Sequence, residues 1–158
     1  MNRKSRFTTQ KLTRLALLAA ASVVLGYIEG LICALMPLPP GIKLGLANTV
    51  LLYAVYLMDA KSAWLLMCAK VLLSGFLFAG LSGMLYSFAG GILSLAVMLV
   101  LHKVKDMGTI GVSVGGAVCH NIGQITVACM VVQSRAVLSY LPVLMVSAVL
   151  TGVLTGVI

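Results

Sequence analysis

The chain of 158 residues is 61% hydrophobic and 9% charged, with a mean hydropathy of +1.15 and three acidic residues. A soluble domain of this size carries about 25% charged residues, so a water-facing surface is excluded and an integral membrane protein is expected. The net charge of +8 does not indicate nucleic acid, because Arg3, Lys4, Arg6, Lys11 and Arg14 crowd the N-terminus, where they serve topology without a polyanionic partner.

The apolar runs are long and rich in Leu, Ala, Val and Met. They lack the alternating segments of about ten residues that build outer-membrane barrels. The expected fold is therefore all-α: a polytopic membrane protein whose residues 1–158 form one six-helix transmembrane domain, with a short basic segment at 1–11. About 20 apolar residues cross a bilayer core of about 30 Å. On that ruler helix one is predicted over Leu12–Met36, helix two over Ile42–Met58 and helix three over Ala63–Leu81. Helix four follows over Met84–Leu101, helix five over Thr109–Val132 and helix six over Ala136–Ile158. The basic start and LALLAAASVVL have the look of a signal peptide, but the run continues past Gly26 to Met36, so a retained first helix is expected.

Basic residues set the orientation. Five in the N-terminus, Lys61, Lys103 and Lys105 make eight on one side, against Lys43 and Arg135 on the other. The positive-inside rule then places both termini in the cytoplasm. Pro37–Asn48 and the charge-free Leu81–Gly83 turn fall on the external side.

The chain is organised around PLPPGIKLGLAN, Pro37–Asn48, with Glu29 just upstream. Pro40 disfavours helical geometry in the residue before it, so two helices are separated here. Polar groups in a proline-broken connection between membrane-length runs point to a pocket mouth. Ionisable and amide groups inside a bilayer need a partner or a purpose. At 1.5 Å per residue, Glu29, Asn48 and the trio His120, Asn121 and Gln124 reach similar depths in the outer half. That convergence is what an outward-opening substrate site requires. The plain alternative is that a Glu29–Lys43 pair and a helix-five polar network merely lock helices together. Lys70, on helix three, is expected nearer the cytoplasmic half, where it holds an anionic group or pairs structurally with Glu29 or helix-end carbonyls.

Ala16 and Ala20 form a small-residue surface on the cytoplasmic half of helix one, for packing or for docking another membrane subunit. Glycine patches, Gly111/Gly115/Gly116 and Gly152/Gly156 among them, read as close helix packing, with Gly90–Gly91 open to either packing or a ligand role. The four cysteines lie inside apolar runs without metal-ligand spacing and read as packing residues. No GxxxxGK[ST] loop is present, and Asp59 and Asp106 are too isolated to hold the magnesium ions of a diphosphate substrate. Neither catalytic residues nor a cofactor or metal site is expected; the chain is not read as an enzyme.

At GIKLGLAN (Gly41–Asn48), SFAGGILSLAVM (Ser87–Met98) and GVSVGGAVCHNIGQ (Gly111–Gln124) the chain resembles the bacterial Gx transporter family, also called heptaprenyl diphosphate synthase component I. That family is similar to the substrate-binding S components of energy-coupling factor (ECF) transporters. The resemblance, from Leu15 to Ile158, implies a six-helix bundle in the bacterial cytoplasmic membrane that takes a vitamin-like ligand near its external face. It implies docking through Ala16 and Ala20 onto a transmembrane coupling subunit that carries two ATPases. It also implies ligand capture by the Pro37–Asn48 region and helix five. Lys70 is a departure where arginine is expected; lysine keeps the charge but loses bidentate geometry.

The expected function is capture of a small vitamin-, flavin- or isoprenoid/quinone-related molecule by Glu29, Lys43, Asn48, Lys70, His120, Asn121 and Gln124. One alternative is a non-catalytic accessory subunit that recruits a soluble prenyl diphosphate synthase. Another is a structural subunit of a membrane flavin or redox assembly.

Overall fold

The computed structural model describes residues 9–35, 46–133 and 135–157, all in helices and short connections. Six α-helices follow in order: α1 Thr9–Leu35, α2 Leu46–Leu57, α3 Ala60–Ser74, α4 Gly80–Leu101, α5 Thr109–Val132 and α6 Leu141–Val157. A π-helical turn, Gly75–Ala79, joins α3 to α4, and a 3-10 turn, Arg135–Tyr140, leads into α6.

Local chemistry explains where several helices begin and end. Asp59 is extended at the start of α3, and its carbonyl accepts the Ser62 and Ala63 N–H groups at 2.9 and 3.1 Å. α5 starts after extended Gly108 and stops at Gln133, which is left-handed. At Gly80 the backbone has φ 68 and ψ 178, a region essentially closed to side chains. The chain reverses there, so the turn falls at Gly80 and not at Leu81–Gly83 as the sequence led one to expect. α6 begins five residues later than expected. Pro142 lacks an N–H and is accommodated only in a first α-helical turn, so the preceding residues wind as a 3-10 turn.

Neighbouring helices run antiparallel. Gly75 packs on Met84 while Gly91 packs on Met67; Gly90 meets His120 while Gly116 meets Met98; Gly152 meets Val114 while Gly156 meets Ile110. Lys11 pairs with Asp59, and Glu29 meets Ala47. The amino end of α1, the α2–α3 and α4–α5 connections and the carboxyl end of α6 therefore share one end of the bundle. Lys11, Arg14, Lys61, Lys103 and Lys105 all lie there; it is called the basic end below. The backbone of Arg135, in the 3-10 turn before α6, lies at the opposite end.

The principal core is packed in the basic half. Leu15, Val55, Ala63, Leu66, Met67, Leu95, Met98 and Val112 are buried together there. Large side chains face outward along the helices, Phe76 at 83% and Met130 at 70% exposure among them. An apolar exterior around a packed interior is the pattern of a protein solvated by lipid. Four helical stretches are long and apolar enough to cross a membrane: Thr9–Ile32, Ala60–Leu101, Thr109–Val132 and Val137–Val157. The second holds 42 residues and contains the reversal at Gly80. The described part of α2, 12 residues, is about 18 Å long.

Candidate ligand cavity

Above the core, in the half nearer Gly80, the helices part around a cavity of about 260 Å³. Each long helix contributes one stripe to it. From α1 come Ser22, Gly26, Glu29 and Gly30; from α3 Met67, Lys70, Val71 and Ser74; from α5 Ala117, His120 and Asn121. These spacings of three and four residues are one helix face. Ala47, Asn48 and Leu51 of α2, Ser87 and Gly91 of α4, and Ala148 and Thr151 of α6 complete the wall. Phe78 and Ala79 enter from the π-helical turn.

Glu29 is 3% exposed. Its Oε2 accepts the Ala47 N–H at 3.5 Å, at the outer limit of a hydrogen bond. Ala47 lies in the first turn of α2, so the carboxyl group faces the positive end of a helix dipole. One residue on, Asn48 Oδ1 accepts from Lys70 Nζ at 2.9 Å. An acidic and a basic side chain thus converge on the start of α2. Several lining hydroxyls donate to their own helices: Ser22 to the Ala19 carbonyl, Ser74 to Val71 and Thr151 to Ser147. Their oxygens are left to accept from whatever occupies the cavity.

The predicted site residues divide. Glu29, Asn48, Lys70, His120 and Asn121 all line the cavity. Lys70 is not set apart toward the basic end; its amine joins the layer of Asn48. Depth counted along one helix axis ignores both the length of a lysine stem and the short α2 beside it. Asn121 also has a structural bond, donating from Nδ2 to the Leu144 carbonyl of α6 at 2.8 Å. Gln124 is not among the lining residues; its Cγ packs where a Cβ on Gly90 would sit, so it belongs to the α4–α5 contact. Of the Gly90–Gly91 pair, Gly90 serves that contact and Gly91 lines the cavity. Lys43 and most of Pro37–Asn48 lie outside the described residues. Ala16 and Ala20 are exposed on α1.

Ser22, Ser74, Phe78, Ser87 and Thr151 were not singled out by sequence. For Ser22, Gly26 and Gly30 a signal existed: small residues at steps of four, ending beside the one buried glutamate. Phe78 carried none, since it reaches the cavity through the π-helical turn.

An apolar-surfaced helical bundle around a largely apolar cavity that holds a few polar side chains is the architecture of a multi-pass membrane protein. The family follows from comparison with known proteins. The chain belongs to the heptaprenyl diphosphate synthase component I family, whose model matches residues 18–158. No curated protein and no solved structure matches the chain.

Proposed function

We propose that this protein is the substrate-capture subunit of an energy-coupling factor-type importer. It takes a small vitamin-, flavin- or isoprenoid/quinone-related molecule from the external side. The observation that carries the reading is the cavity itself, with Glu29, Lys70, Asn48 and His120 in its wall. Mixed charge over a largely apolar lining suits a small amphipathic molecule. A volume of 260 Å³ lies just below the usual range for ligand pockets. It suits a ring system or a polar head group better than a whole heptaprenyl chain. With the basic end cytoplasmic, as the positive-inside rule requires, both termini are inside, six helices cross and the cavity lies toward the exterior. Exposed Ala16 and Ala20 then offer the coupling subunit a close approach on α1.

A second reading has the family's description in its favour: a non-catalytic membrane component working with a prenyl diphosphate synthase. Purification of the tagged protein from its native membrane in mild detergent, with mass spectrometry of proteins and small molecules, separates the two. The importer reading expects a coupling subunit with ATPases, weakened by Ala16→Trp, and a co-purifying small molecule. Recovery of a prenyl synthase with no ATPase overturns it.

A further inference from the structure

Ser94 of α4 is 1% exposed, and its Oγ has no hydrogen-bond partner among the described residues. A buried hydroxyl in this state is unfavourable, and such groups are nearly always satisfied by protein or by ordered water. Ser94 lines a second, smaller cavity of about 10 Å³ between α2, α4, α5 and α6, together with Asn48, Ser113, Thr151 and Thr155. That volume is about one probe sphere, the least that holds a water molecule, and the lining is polar enough to keep it.

We propose that this cavity is a binding site for a single structural water that bridges Ser94 to Asn48 and Thr151. The inference stands apart from the transport reading. The hydrogen-bond directions single out water. Lysine only donates, so the Lys70–Asn48 bond fixes the amide with Oδ1 toward Lys70. The other half of that amide, Nδ2, carries only donors. Thr151 already gives its proton to the Ser147 carbonyl and can only accept. A water accepts from Asn48, donates to Thr151 and shares a bond with Ser94, which is the usual complement of about three. A sodium ion would face the donors of Asn48, with the Lys70 cation across the same amide. The water holds the Asn48 side chain in the plane that presents Oδ1 to Lys70, so it acts as a positioning element for the larger cavity.

The test is a structure of the whole protein in lipid nanodiscs at a resolution that resolves ordered waters, in sodium and in choline buffers. The expected result is a density peak about 2.7–3.2 Å from Ser94 Oγ and from Asn48 Nδ2 or Thr151 Oγ1, present in both buffers. In Ser94→Ala the peak is lost or displaced and the Asn48 amide turns away from Lys70. A dry cavity overturns the proposal, as does Ser94 Oγ bonded to a carbonyl of its own helix. A sodium-dependent peak at ion–oxygen distances of about 2.3–2.6 Å also overturns it, in favour of a cation. The native structure decides the matter even if the variant does not fold.

Discussion

Lys70 on α3 donates from Nζ to Oδ1 of Asn48 on α2 at 2.9 Å, and this bond ties two helices together at the wall of the cavity. Replacing Asn48 with Leu removes a neutral acceptor from a charged donor in a part-buried setting. The expected loss is about 1–3 kcal/mol. It is read as a lower thermal midpoint of the detergent-solubilised protein, with the double variant Asn48→Leu/Lys70→Met recovering part of it. A double variant no better than Asn48→Leu alone would mean that the bond does not couple the two helices.

Glu29 faces the first turn of α2, where its carboxyl group meets the Ala47 N–H. Glu29→Gln keeps an acceptor and the volume but removes the ionisable carboxyl group. On the importer reading, the amount of co-purifying ligand falls tenfold or more while the melting profile stays close to that of the parent. Unchanged ligand recovery in Glu29→Gln and in Asn121→Ala would take both residues out of ligand capture.

The α5–α6 contact depends on glycine. A Cβ on Gly152 would lie 2.7 Å from Val114 Cα, and one on Gly156 would lie 2.6 Å from Ile110 Cα. These obstacles are backbone, so the helices themselves must move apart. Overpacking of this kind costs about 1–3 kcal/mol, and each alanine variant is expected to melt several degrees early. Gly108 is the control, because a Cβ there would meet nothing within 4 Å and its φ is an ordinary negative one. Gly108 is also the N-cap of α5, where alanine is a poorer residue than glycine, so Gly108→Ala is expected to lose at most about 1 kcal/mol, through capping and not overpacking.

Gly80 carries φ 68 with open space where a Cβ would be, so the penalty of Gly80→Ala is one of backbone strain alone. About 1–3 kcal/mol is expected. Limited proteolysis across the α3–α4 turn, alongside the melting curve, would detect it; a variant as resistant and as stable as the parent would show that the turn tolerates a side chain.

At the basic end Lys11 pairs with Asp59, and this hydrogen bond, opposed by partial burial, holds the Asp59 carboxyl below its usual range. The pair is substantially exposed, so it contributes at most about 0.2–1 kcal/mol, less in salt. A lowered folded-state pKa stabilises above the unfolded value near 3.9, and the contribution disappears as pH falls through the folded value. The melting advantage over Asp59→Asn is therefore small and constant above about pH 5 and vanishes in stronger acid. An advantage that grows on acidification would contradict the pairing.

Most of the helical architecture was legible because a chain this apolar has few other ways to satisfy its backbone. The bounds of α5 agree with those read from hydropathy, Thr109–Val132, since Gly108 and the polar Gln133 punctuate it on both sides. Glu29, Asn48, His120 and Asn121 were legible as cavity residues for a related reason: polar groups stand out against an apolar background. Gln124 stood out in the same way, yet it is absent from the cavity wall. A helix has several faces, and polarity alone does not say which one turns inward.

Composition and apolar run length by themselves determined that this is a helical membrane protein, because burying backbone in lipid leaves little choice of structure. Charge distribution determined which basic residues gather at one end. Tertiary structure alone decided that Lys70 reaches Asn48, that Ser22 and Thr151 share a wall with Glu29, and that the π-helical turn carries Phe78 into the cavity. Those relations depend on how far each helix slides and rotates against its neighbour. Glycine contacts such as Gly152 on Val114 and Gly90 on His120 set that registry, and it is a property of pairs of helices that no single stretch of sequence contains.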